Sequence, residues 1–490
     1  MNNETTPSRR RFLLGSAGLL VASTPATSAM GANGQKARLT AGNHPLFRVR
    51  IEMEVEGNVR VSKNPLVSRK SALSLPLKSE AVLDYEERYA AGRRPDQSLE
   101  RFYHEAQSTS SLNGRESSLQ LRPSVRDASI SRAEFPEVVS SNEDYFRRDE
   151  LDLLRVPASS VVVDQLLPDQ PVAVGSKYKP KQAVLAALLN LSSVEASDVN
   201  IAVVSLDSKQ AKFQIQGKVD GSVDGVPTVI RLVGKLTFDR RAKTCVWLAM
   251  GLHETREIGI AEPGFDVSAK VRMVRKPLNQ TVALPKKRRS VPVQPSPQRL
   301  YVDLQSDELA IGALMDRNWR MMSDLPGTAM MRMTDRDRIV AQCDFRSLVA
   351  LEPGVTWSMK SFQEDARRTL GEQLIEFSEA EQQTNKDGMT VLRLTANGEV
   401  QGVPVHWIML HFSDESGRRV LATFTMEAEK RERFAGADEQ LASSLRFTRD
   451  VTPLMESQTL RESPNLRESQ TFANRSPDPA MNSDREISRK

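Results

Sequence analysis

The chain has 490 residues, with 68 Lys and Arg, 63 Asp and Glu, two Cys and a formal net charge of +5. This length exceeds what one hydrophobic core supports and predicts two or three domains. The basic excess is not clustered as in a nucleic-acid-binding protein, and two cysteines are too few for an iron–sulfur cluster of the four-thiolate kind, so we expect no cofactor.

Residues 1–29 have the layout of an export signal. The motif SRRRFL at residues 8–13 supplies the residues expected to be recognised: Arg9, Arg10, Phe12 and Leu13. The apolar stretch that follows is about eleven residues long, too short to span a bilayer, and small residues lead to an A-x-A-like cleavage site at 27–29. The segment resembles twin-arginine (Tat) signals. This resemblance implies export of the folded protein by the Tat machinery to a periplasmic or secreted location; the alternative is an uncleaved anchor or a chance basic start.

Residues 45–275 are predicted to form a β-rich antiparallel domain. Apolar and charged residues alternate over 47–55, and this two-residue period places the apolar side chains on one face of a strand. Five alternating segments over 199–274 are separated by turn residues, and Asp224-Gly225 favours a tight hairpin because both positions tolerate positive φ. The pattern predicts an antiparallel meander. Two short helices and one weakly patterned stretch complete the domain: residues 149–154, 181–189 and 92–147.

A proline-rich basic linker is predicted at 276–299. Its five prolines remove backbone donors and favour extended geometry, and the tetrad KKRR occupies residues 286–289. In an exported protein we interpret the tetrad as part of a solvated linker rather than a nuclear address or a polyanion patch. The tail at 450–490 has three short, polar six-residue repeats, which favour disorder over a β-helix.

Residues 300–449 are predicted to form a sheet with helices on one or both faces. Ser358 is suited to cap a helix in which apolar residues recur every four positions. The α+β class therefore describes the expected fold, with a β-rich domain followed by an α+β sandwich domain. The expected strands are residues 319–322, 329–333, 339–345, 389–399, 403–412 and 419–427. The apolar helix positions are Phe362, Ala366 and Leu370 in the first helix and Phe434, Leu441 and Leu445 in the last.

This second domain resembles the PsbP-like fold, which includes DcrB-like bacterial lipoproteins and oxygen-evolving accessory proteins of photosystem II. The resemblance implies an accessory or binding role without chemistry, and it supplies no catalytic residue. The β-rich half resembles exported bacterial proteins and implies no activity. The features that carry the PsbP-like resemblance are Asn318-Trp319, the helix at 362–370, Gly388-Met389, the segment GVPVHW at 402–407, Gly417-Arg418-Arg419 and the closing segment 441–447.

Few histidines or carboxylates suggest a metal site. The segment HETRE at 253–257 begins like a zincin helix, but Glu257 stands where a second His is required and the segment is β-like. His406 and His411 lie five apart on a strand and should point to opposite faces. The acidic ladder at 52–56 is interpreted as a solvated face rather than a calcium site, because Arg48 and Arg50 extend it.

Nucleophile motifs are similarly weak. Residues 176–179 fit the S-x-x-K pattern of penicillin-binding proteins, but the companion elements are absent. Cys245 and Cys343 fall in apolar strand-like runs, and we expect two separate buried thiols, with a cross-domain disulfide as the alternative. The four Trp are interpreted as core residues, with a ligand-stacking surface loop as the alternative for Trp357.

These observations lead us to expect an exported, non-enzymatic cell-envelope protein with a binding or assembly-accessory role and no catalytic, cofactor or metal residues. The expected partners are the Tat machinery and envelope proteins or a small apolar ligand, without nucleic acid or an integral membrane span. One alternative is an exported hydrolase with a site assembled from distant residues, which needs convergent carboxylates or a Ser/His pair. Another is a carrier of an apolar ligand in the β-rich domain, which needs an unfilled interior.

Overall fold

The computed structural model describes residues 36–64, 68–89, 98–131, 137–287, 291 and 295–448. The predicted export signal, with Arg9, Arg10, Phe12 and Leu13, and the tail at 450–490 lie outside the described residues. The described chain is 56% strand and 15% helix, mostly in large antiparallel sheets. The α+β class expected from the sequence is therefore wrong, and the protein is β-rich. Several strands carry mostly polar side chains, and the pattern of apolar residues did not predict them. They account for much of the difference between the expected and the observed strand content.

The first sheet contains 13 strands. They are β1 (Leu46–Asn64), β2 (Ser68–Tyr89), β3 (Leu99–Leu112), β4 (Arg115–Gln120), β5 (Asp127–Ser131), β6 (Val138–Ser141), β7 (Lys177–Tyr178), β8 (Ser193–Ser197), β9 (Asn200–Leu206), β10 (Gln210–Val223), β11 (Val226–Asp239), β12 (Thr244–Arg256) and β13 (Gly264–Pro277). Their order is β6-β5-β3-β2-β1-β13-β12-β11-β10-β9-β7, with β4 on β3 and β8 on β10. The predicted meander is confirmed, because β9 to β13 are successive neighbours.

The β10–β11 hairpin shows why its turn needs Asp-Gly. Asp224 and Gly225 have φ of +49° and +86°, a left-handed region that Asn, Asp and Gly adopt most readily. A Cβ on Gly225 would also lie 2.5 Å from the backbone of Arg336, which belongs to the second part of the chain. This turn therefore meets both a conformational and a steric requirement.

The inner face of the first sheet is covered by the chain itself. The helices α1 (Arg148–Leu154) and α2 (Gln182–Leu189) confirm the two predicted short helices. Phe47, Val49 and Ile51 are buried in the core on this side, as their alternation predicted. The segment 161–166 and α2 add buried Val and Leu side chains to the same cluster, so they fill the inner side of the sheet.

The second part of the chain forms two sheets. Their strands are β14 (Tyr301–Ser306), β15 (Ile311–Asp316), β16 (Trp319–Leu325), β17 (Thr328–Asp335), β18 (Arg338–Leu348), β19 (Leu374–Thr384), β20 (Thr390–Val400), β21 (Val403–Ser413), β22 (Arg419–Glu427) and β23 (Arg446–Phe447). The orders are β14-β15-β23 and β16-β17-β18-β22-β21-β20-β19. Separate hydrophobic clusters lie on the two sides of the seven-stranded sheet.

Three helices pack with these sheets: α3 (Met359–Leu370), α4 (Arg431–Phe434) and α5 (Ala437–Ser444). The predicted cap is confirmed, because the Ser358 side chain accepts a hydrogen bond from the Ser361 N–H at 3.1 Å. The single closing helix expected from the sequence is instead α4 and α5, because Ala435 and Gly436 adopt left-handed φ of 52° and 73° between them. The longest described helix, α3, has 12 residues, and no described helix combines the length and apolar character needed to cross a bilayer.

The proline-rich stretch after β13 lies against the first sheet. The Glu86 carboxylate accepts hydrogen bonds from the Thr281 hydroxyl at 2.6 Å and the Val282 N–H at 3.1 Å. Arg88 donates to the Pro285 carbonyl at 2.7 Å. Burial alone would raise the pKa of Glu86, but the bonds from Thr281 and residues 282–284 hold it below its ordinary value. Residues 281–285 are thus anchored to the sheet.

The two parts of the chain contact each other directly. The Asp303 N–H donates to the Phe146 carbonyl at 2.9 Å, and Arg317 donates to the Val139 carbonyl at 3.1 Å. Arg320 lies 3.3 Å from the Glu262 carboxylate. Burial lowers the pKa of Arg317 to about 10. The contact combines these polar interactions with apolar packing, because Val302 on β14 belongs to the buried cluster of the first sheet.

Candidate functional site

A buried ionic network lies on the inner face of the first sheet. The Glu87 carboxylate accepts hydrogen bonds from Arg101 at 2.9 Å, Ser160 at 2.6 Å and Tyr89 at 3.0 Å. Arg101 also contacts Glu137 at 2.9 Å. Burial alone would raise the pKa of Glu87, but Arg101 and a second guanidinium, together with Ser160, hold it below its ordinary value.

That second guanidinium belongs to Arg275 on β13. It lies 2.5 Å from Asp164, donates to Thr244 at 2.9 Å and stacks on the Phe47 ring at 3.4 Å from its centre. The side chains of Arg275 and Glu87 are both 0% exposed. Since these groups are enclosed and mutually paired, they hold residues 160–164 on the sheet, and we assign the network to stability.

The opposite side of this sheet, which we call the outer face, presents polar side chains over seven strands. Strand register places residues of β10, β11, β12, β13, β1, β2 and β3 side by side in four rows. In that strand order, the first row is Lys218, Arg231, His253, Ser268, Glu56, Lys78 and Ser111, and the second row is Gln216, Val233, Gly251, Lys270, Glu54, Glu80 and Thr109. The third row is Gln214, Lys235, Ala249, Arg272, Glu52, Val82 and Gln107, and the fourth row is Lys212, Thr237, Trp247, Val274, Arg50, Asp84 and Glu105.

Charges are segregated across these rows. In these four rows no acidic residue lies on β10–β13, although Asp220 and Asp266 follow in the next row of the same face; acidic residues outnumber basic ones on β1–β3. We call the first region the basic half and the second the acidic half. The basic half contains Lys212, Lys218, Arg231, Lys235, Lys270 and Arg272; the acidic half contains Glu52, Glu54, Glu56, Glu80, Asp84 and Glu105, with Arg50 and Lys78 among them.

An open concavity of about 750 Å³ lies on the basic half. Val233 is 62% exposed there, and Gly251, directly opposite it, adds no side chain. Arg231 and Lys270 also line the concavity, together with one carboxylate, Asp198. The site therefore combines apolar surface and backbone with surrounding cations.

Two like-charged pairs on the outer face are unfavourable for folding. Lys218 lies directly opposite Arg231, and Glu54 lies directly opposite Glu80. Like charges in directly opposed positions destabilise a sheet, although Lys218 also contacts Asp220 at 2.7 Å. Folding alone does not account for this arrangement, which makes the face a candidate binding surface.

A Ser/His/Asp grouping at the concavity bears on the hydrolase alternative. The His253 Nδ1 atom lies 3.4 Å from the Ser268 hydroxyl, and its Nε2 atom lies 3.6 Å from Asp266. A nucleophile and its base need about 2.6–3.2 Å, and the side chains of His253 and Asp266 are 41% and 55% exposed. The grouping is looser and more solvated than a working triad. The zincin-like start at His253 is on strand β12, and the described residues contain no cluster of three metal-ligating side chains.

The remaining histidine and tryptophan candidates lie in the second part of the chain. His406 and His411 are on opposite faces of β21, as predicted. His406 bonds Asn397 at 2.7 Å, while His411 is buried between Trp357 and Phe362 at ring distances of 4.9 and 6.0 Å. Burial, reinforced by a nearby guanidinium, lowers the pKa of His411 to about 4. Trp357 follows β18 in a loop and packs over His411, so its ring has an intramolecular partner.

The remaining candidates from the sequence analysis have structural rather than catalytic roles. Cys245 and Cys343 are buried, form no disulfide and lie in different hydrophobic clusters, which confirms the expected pair of separate thiols. The Ser176 hydroxyl accepts from the Ala173 N–H at 3.0 Å. A second concavity, of about 410 Å³, lies where the two parts of the chain meet, and Asp303 there pairs with Arg446 at 2.6 Å. That pairing joins β14 and β23 within the second part of the chain.

Sequence reasoning did not find the outer face as a site. The acidic ladder at 52–56 was recognised as solvated, and its members do contact Arg272 and Lys270 across β13. However, β1 pairs with β13, more than two hundred residues further along the chain. The alternation of Lys and Arg with apolar residues in β10–β13 was the available signal, but only the register shows that the charges are segregated.

Comparison with known proteins identifies no family. No protein-family model and no curated protein matches the chain. Among solved structures, cyanobacterial PsbP (CyanoP) from Synechocystis sp. PCC 6803 is similar over 30% of this chain and 92% of its own, with 13% identity and a TM-score of 0.25. OccK5 from Pseudomonas aeruginosa covers 78% of this chain and 96% of its own at 8% identity and a TM-score of 0.12. The translocator domain of autotransporter NalP from Neisseria meningitidis covers 79% and 88% at 6% identity and a TM-score of 0.12. These similarities carry no argument about function.

Proposed function

We propose that the chain is an exported, non-enzymatic cell-envelope protein that binds an acidic polypeptide through the basic half of its outer face. The observation that carries this proposal is the excess of cations on β10–β13. Lys218, Arg231 and Lys270 line the open concavity beside one carboxylate, Asp198, and three further cations lie in the adjoining rows: Lys212, Lys235 and Arg272. A surface lined by charges of one sign attracts partners of the opposite sign and raises their association rate.

Export is part of the proposal. The twin-arginine pattern at Arg9 and Arg10 supports passage through the Tat machinery to the periplasm or the exterior. The PsbP-like resemblance supports a binding or assembly-accessory role rather than chemistry.

The shape of the site favours a polypeptide over a lipid surface. A planar bilayer would meet the rim of the concavity and leave the surface around Val233 and Gly251 uncovered. An extended acidic segment places successive carboxylates on one side about 7 Å apart. Arg231 and Lys235 are four residues apart on β11, about 13 Å, so they can contact every second carboxylate of such a segment.

The test uses labelled poly-L-glutamate as the probe and the purified full chain as the receptor. We expect binding that weakens with added salt, and a loss of at least about tenfold in affinity when Arg231→Glu and Lys235→Glu are combined, because attraction becomes repulsion. Neither residue has an ion-pair partner among the described residues, so the reversal leaves no carboxylate without its cation. Lys360→Glu with Lys386→Glu changes the net charge equally on a distant surface and should leave binding intact.

Two results would contradict the proposal. The first is poly-L-glutamate binding that is equally strong in the Arg231/Lys235 double variant. The second is hydrolysis of generic ester, glycoside or peptide reporters that Ser268→Ala abolishes, since this would make the loose grouping at His253 a working site.

A further inference from the structure

We infer that the concavity where the two parts of the chain meet is a second binding site, which takes a small organic carboxylate. We call it the junction concavity. It is lined by Tyr145 and Arg147 from the first part and by Asp303, Leu314 and Arg446 from the second. None of these residues belongs to the basic half, so the inference adds a site to the one already proposed.

The Arg147 side chain offers a hydrogen-bond donor that the chain leaves without an acceptor. Its Nε atom is shielded from solvent and has no hydrogen-bond partner among the described residues. The Asp303 carboxylate lies 3.9 Å from this atom, which is too far for a hydrogen bond. A buried donor without an acceptor is unfavourable. An acceptor that enters the concavity from outside removes this cost, and Arg147 therefore marks the point where the ligand binds.

The carboxylates around this guanidinium are already bound by other donors. In Asp303, one oxygen accepts from Arg446 at 2.6 Å and the other accepts from the Gln305 amide at 2.9 Å. Glu150 forms a two-bond pair with Arg122 at 2.8 and 2.9 Å. Because these oxygens have their own donors, the guanidinium stays available to a ligand.

Three guanidiniums and two carboxylates line the junction concavity, so its charge favours an anion. Asp303 is paired with Arg446 at 2.6 Å. Asp144 is paired with Arg122 at 3.3 Å. Arg122 has a second partner, Glu150, but that side chain is only 1% exposed and does not line the concavity. The lining therefore keeps one cation in excess, which is the guanidinium with the unpartnered Nε atom.

The chemistry and size of the site indicate the class of ligand. A guanidinium binds a carboxylate through two parallel hydrogen bonds, and Nε can donate one of them. Tyr145 and Leu314 add an aromatic and an aliphatic side chain to the lining, which an organic ligand can contact. The volume of about 410 Å³ lies within the range of small-molecule sites. These features favour a small organic carboxylate over an inorganic anion.

A ligand in this position contacts both parts of the chain. Arg147 directly precedes α1 in the first part, whereas Leu314 lies on β15 and Arg446 on β23 in the second. A molecule that binds the folded chain and not the unfolded one stabilises the fold by mass action. We therefore expect the ligand to raise the unfolding temperature and to strengthen the contact between the two parts.

The test is isothermal titration calorimetry of the purified full chain with sodium benzoate, which combines one carboxylate with one ring. We expect a single site with a Kd of about 1 mM or tighter. Arg147→Met should weaken binding at least about tenfold, because it removes charge-assisted hydrogen bonds to the ligand. Arg147→Lys keeps the positive charge but lacks the planar fork, so its affinity should lie between those of the natural chain and Arg147→Met.

Arg368→Met is the matched control. Arg368 on α3 also lies 3.9 Å from a carboxylate, that of Asp365, but its side chain is 79% exposed and lies outside the concavity. The substitution removes the same charge and should leave benzoate binding unchanged. Thermal unfolding checks that each variant is folded, and benzoate should raise the unfolding temperature of Arg368→Met more than that of Arg147→Met. If Arg147→Met does not fold, the affinity of Arg147→Lys decides the test.

The inference fails if benzoate does not bind at about 10 mM, if the Arg147 variants bind it as tightly as the natural chain, or if inorganic phosphate binds as tightly as benzoate. Loss of benzoate binding in the variant with Arg231→Glu and Lys235→Glu would assign the carboxylate to the basic half and would also overturn the inference. Poly-L-glutamate binding is measured on the same proteins. Arg147→Met should retain it, so failure of this site and failure of the proposed function give different results.

Discussion

The two faces of the first sheet use the same residue types in opposite settings. On the inner face, Arg275 and Glu87 are fully buried and belong to one network of ion pairs and hydrogen bonds. On the outer face, Lys270 and Glu54 are 83% and 66% exposed and lie 3.4 Å apart. A strand such as β13 contributes to both faces, because successive side chains point in opposite directions.

The difference shows where charge is needed for folding and where it is free for recognition. A buried charge without a partner is strongly unfavourable, so each inner-face carboxylate must keep its guanidinium. An exposed ion pair contributes little to stability, and the outer-face charges can therefore be arranged for a partner. The proposed function depends on this contrast.

The largest expected effect comes from breaking an inner-face pair. Arg275→Met removes the cation 2.5 Å from the buried Asp164 carboxylate, and we expect the free energy of unfolding to fall by about 3–5 kcal/mol. Urea denaturation followed by tryptophan fluorescence measures the change.

Arg272→Met is the matched control, because it lies three residues earlier on the same strand but its side chain is 59% exposed. It should change stability by less than about 1 kcal/mol. If the two substitutions lowered the free energy of unfolding equally, the charges of the inner and outer faces would not differ in their contribution to stability.

A smaller effect is expected from Glu87→Gln at neutral pH. The change weakens charge-assisted hydrogen bonds from Arg101 and Ser160, which are worth about 1.5–3 kcal/mol. Because the pKa of Glu87 in the folded chain lies below its ordinary value of 4.5, its ionised form stabilises the fold above that pH. This stability is lost as the pH falls through the lower folded value.

The difference in unfolding free energy between the natural chain and Glu87→Gln should therefore shrink between pH 7 and pH 3, roughly the window in which a carboxyl titrates. Denaturation series at both pH values measure it. Glu54→Gln, which removes one negative charge from the outer face, controls for the change in net charge. A difference that stays constant with pH would show that Glu87 acts through packing rather than through its charge.

Local patterns in the sequence predicted much of the fold, but not the site. The alternation from Phe47 to Ile51 identified a strand and its buried face, and Asp224-Gly225 identified a hairpin, because both signals are confined to neighbouring residues. The strand β3 (Leu99–Leu112) was missed because its second half is rich in Ser, Thr and Gln. The strand β19 (Leu374–Thr384) was missed because its side chains are mostly exposed and polar.

Pairing between distant strands could not be predicted in the same way. No local pattern states that β1 pairs with β13, yet this pairing places the acidic ladder beside Lys270 and Arg272. The segregation of charge is therefore a property of topology. The predicted twin-arginine signal is the opposite case, since the evidence for it is entirely local in sequence.

The smallest expected effect is the coupling between Lys270 and Glu54. A double-mutant cycle with Lys270→Gln and Glu54→Gln should give an interaction energy below about 1 kcal/mol, because both side chains are exposed and screened by solvent. Thermal or urea unfolding of the four proteins measures the coupling. An interaction energy of about 3 kcal/mol or more would be as large as that expected for the buried ion pairs of the inner face. The outer-face charges would then be needed for folding, and their segregation would no longer indicate a binding surface.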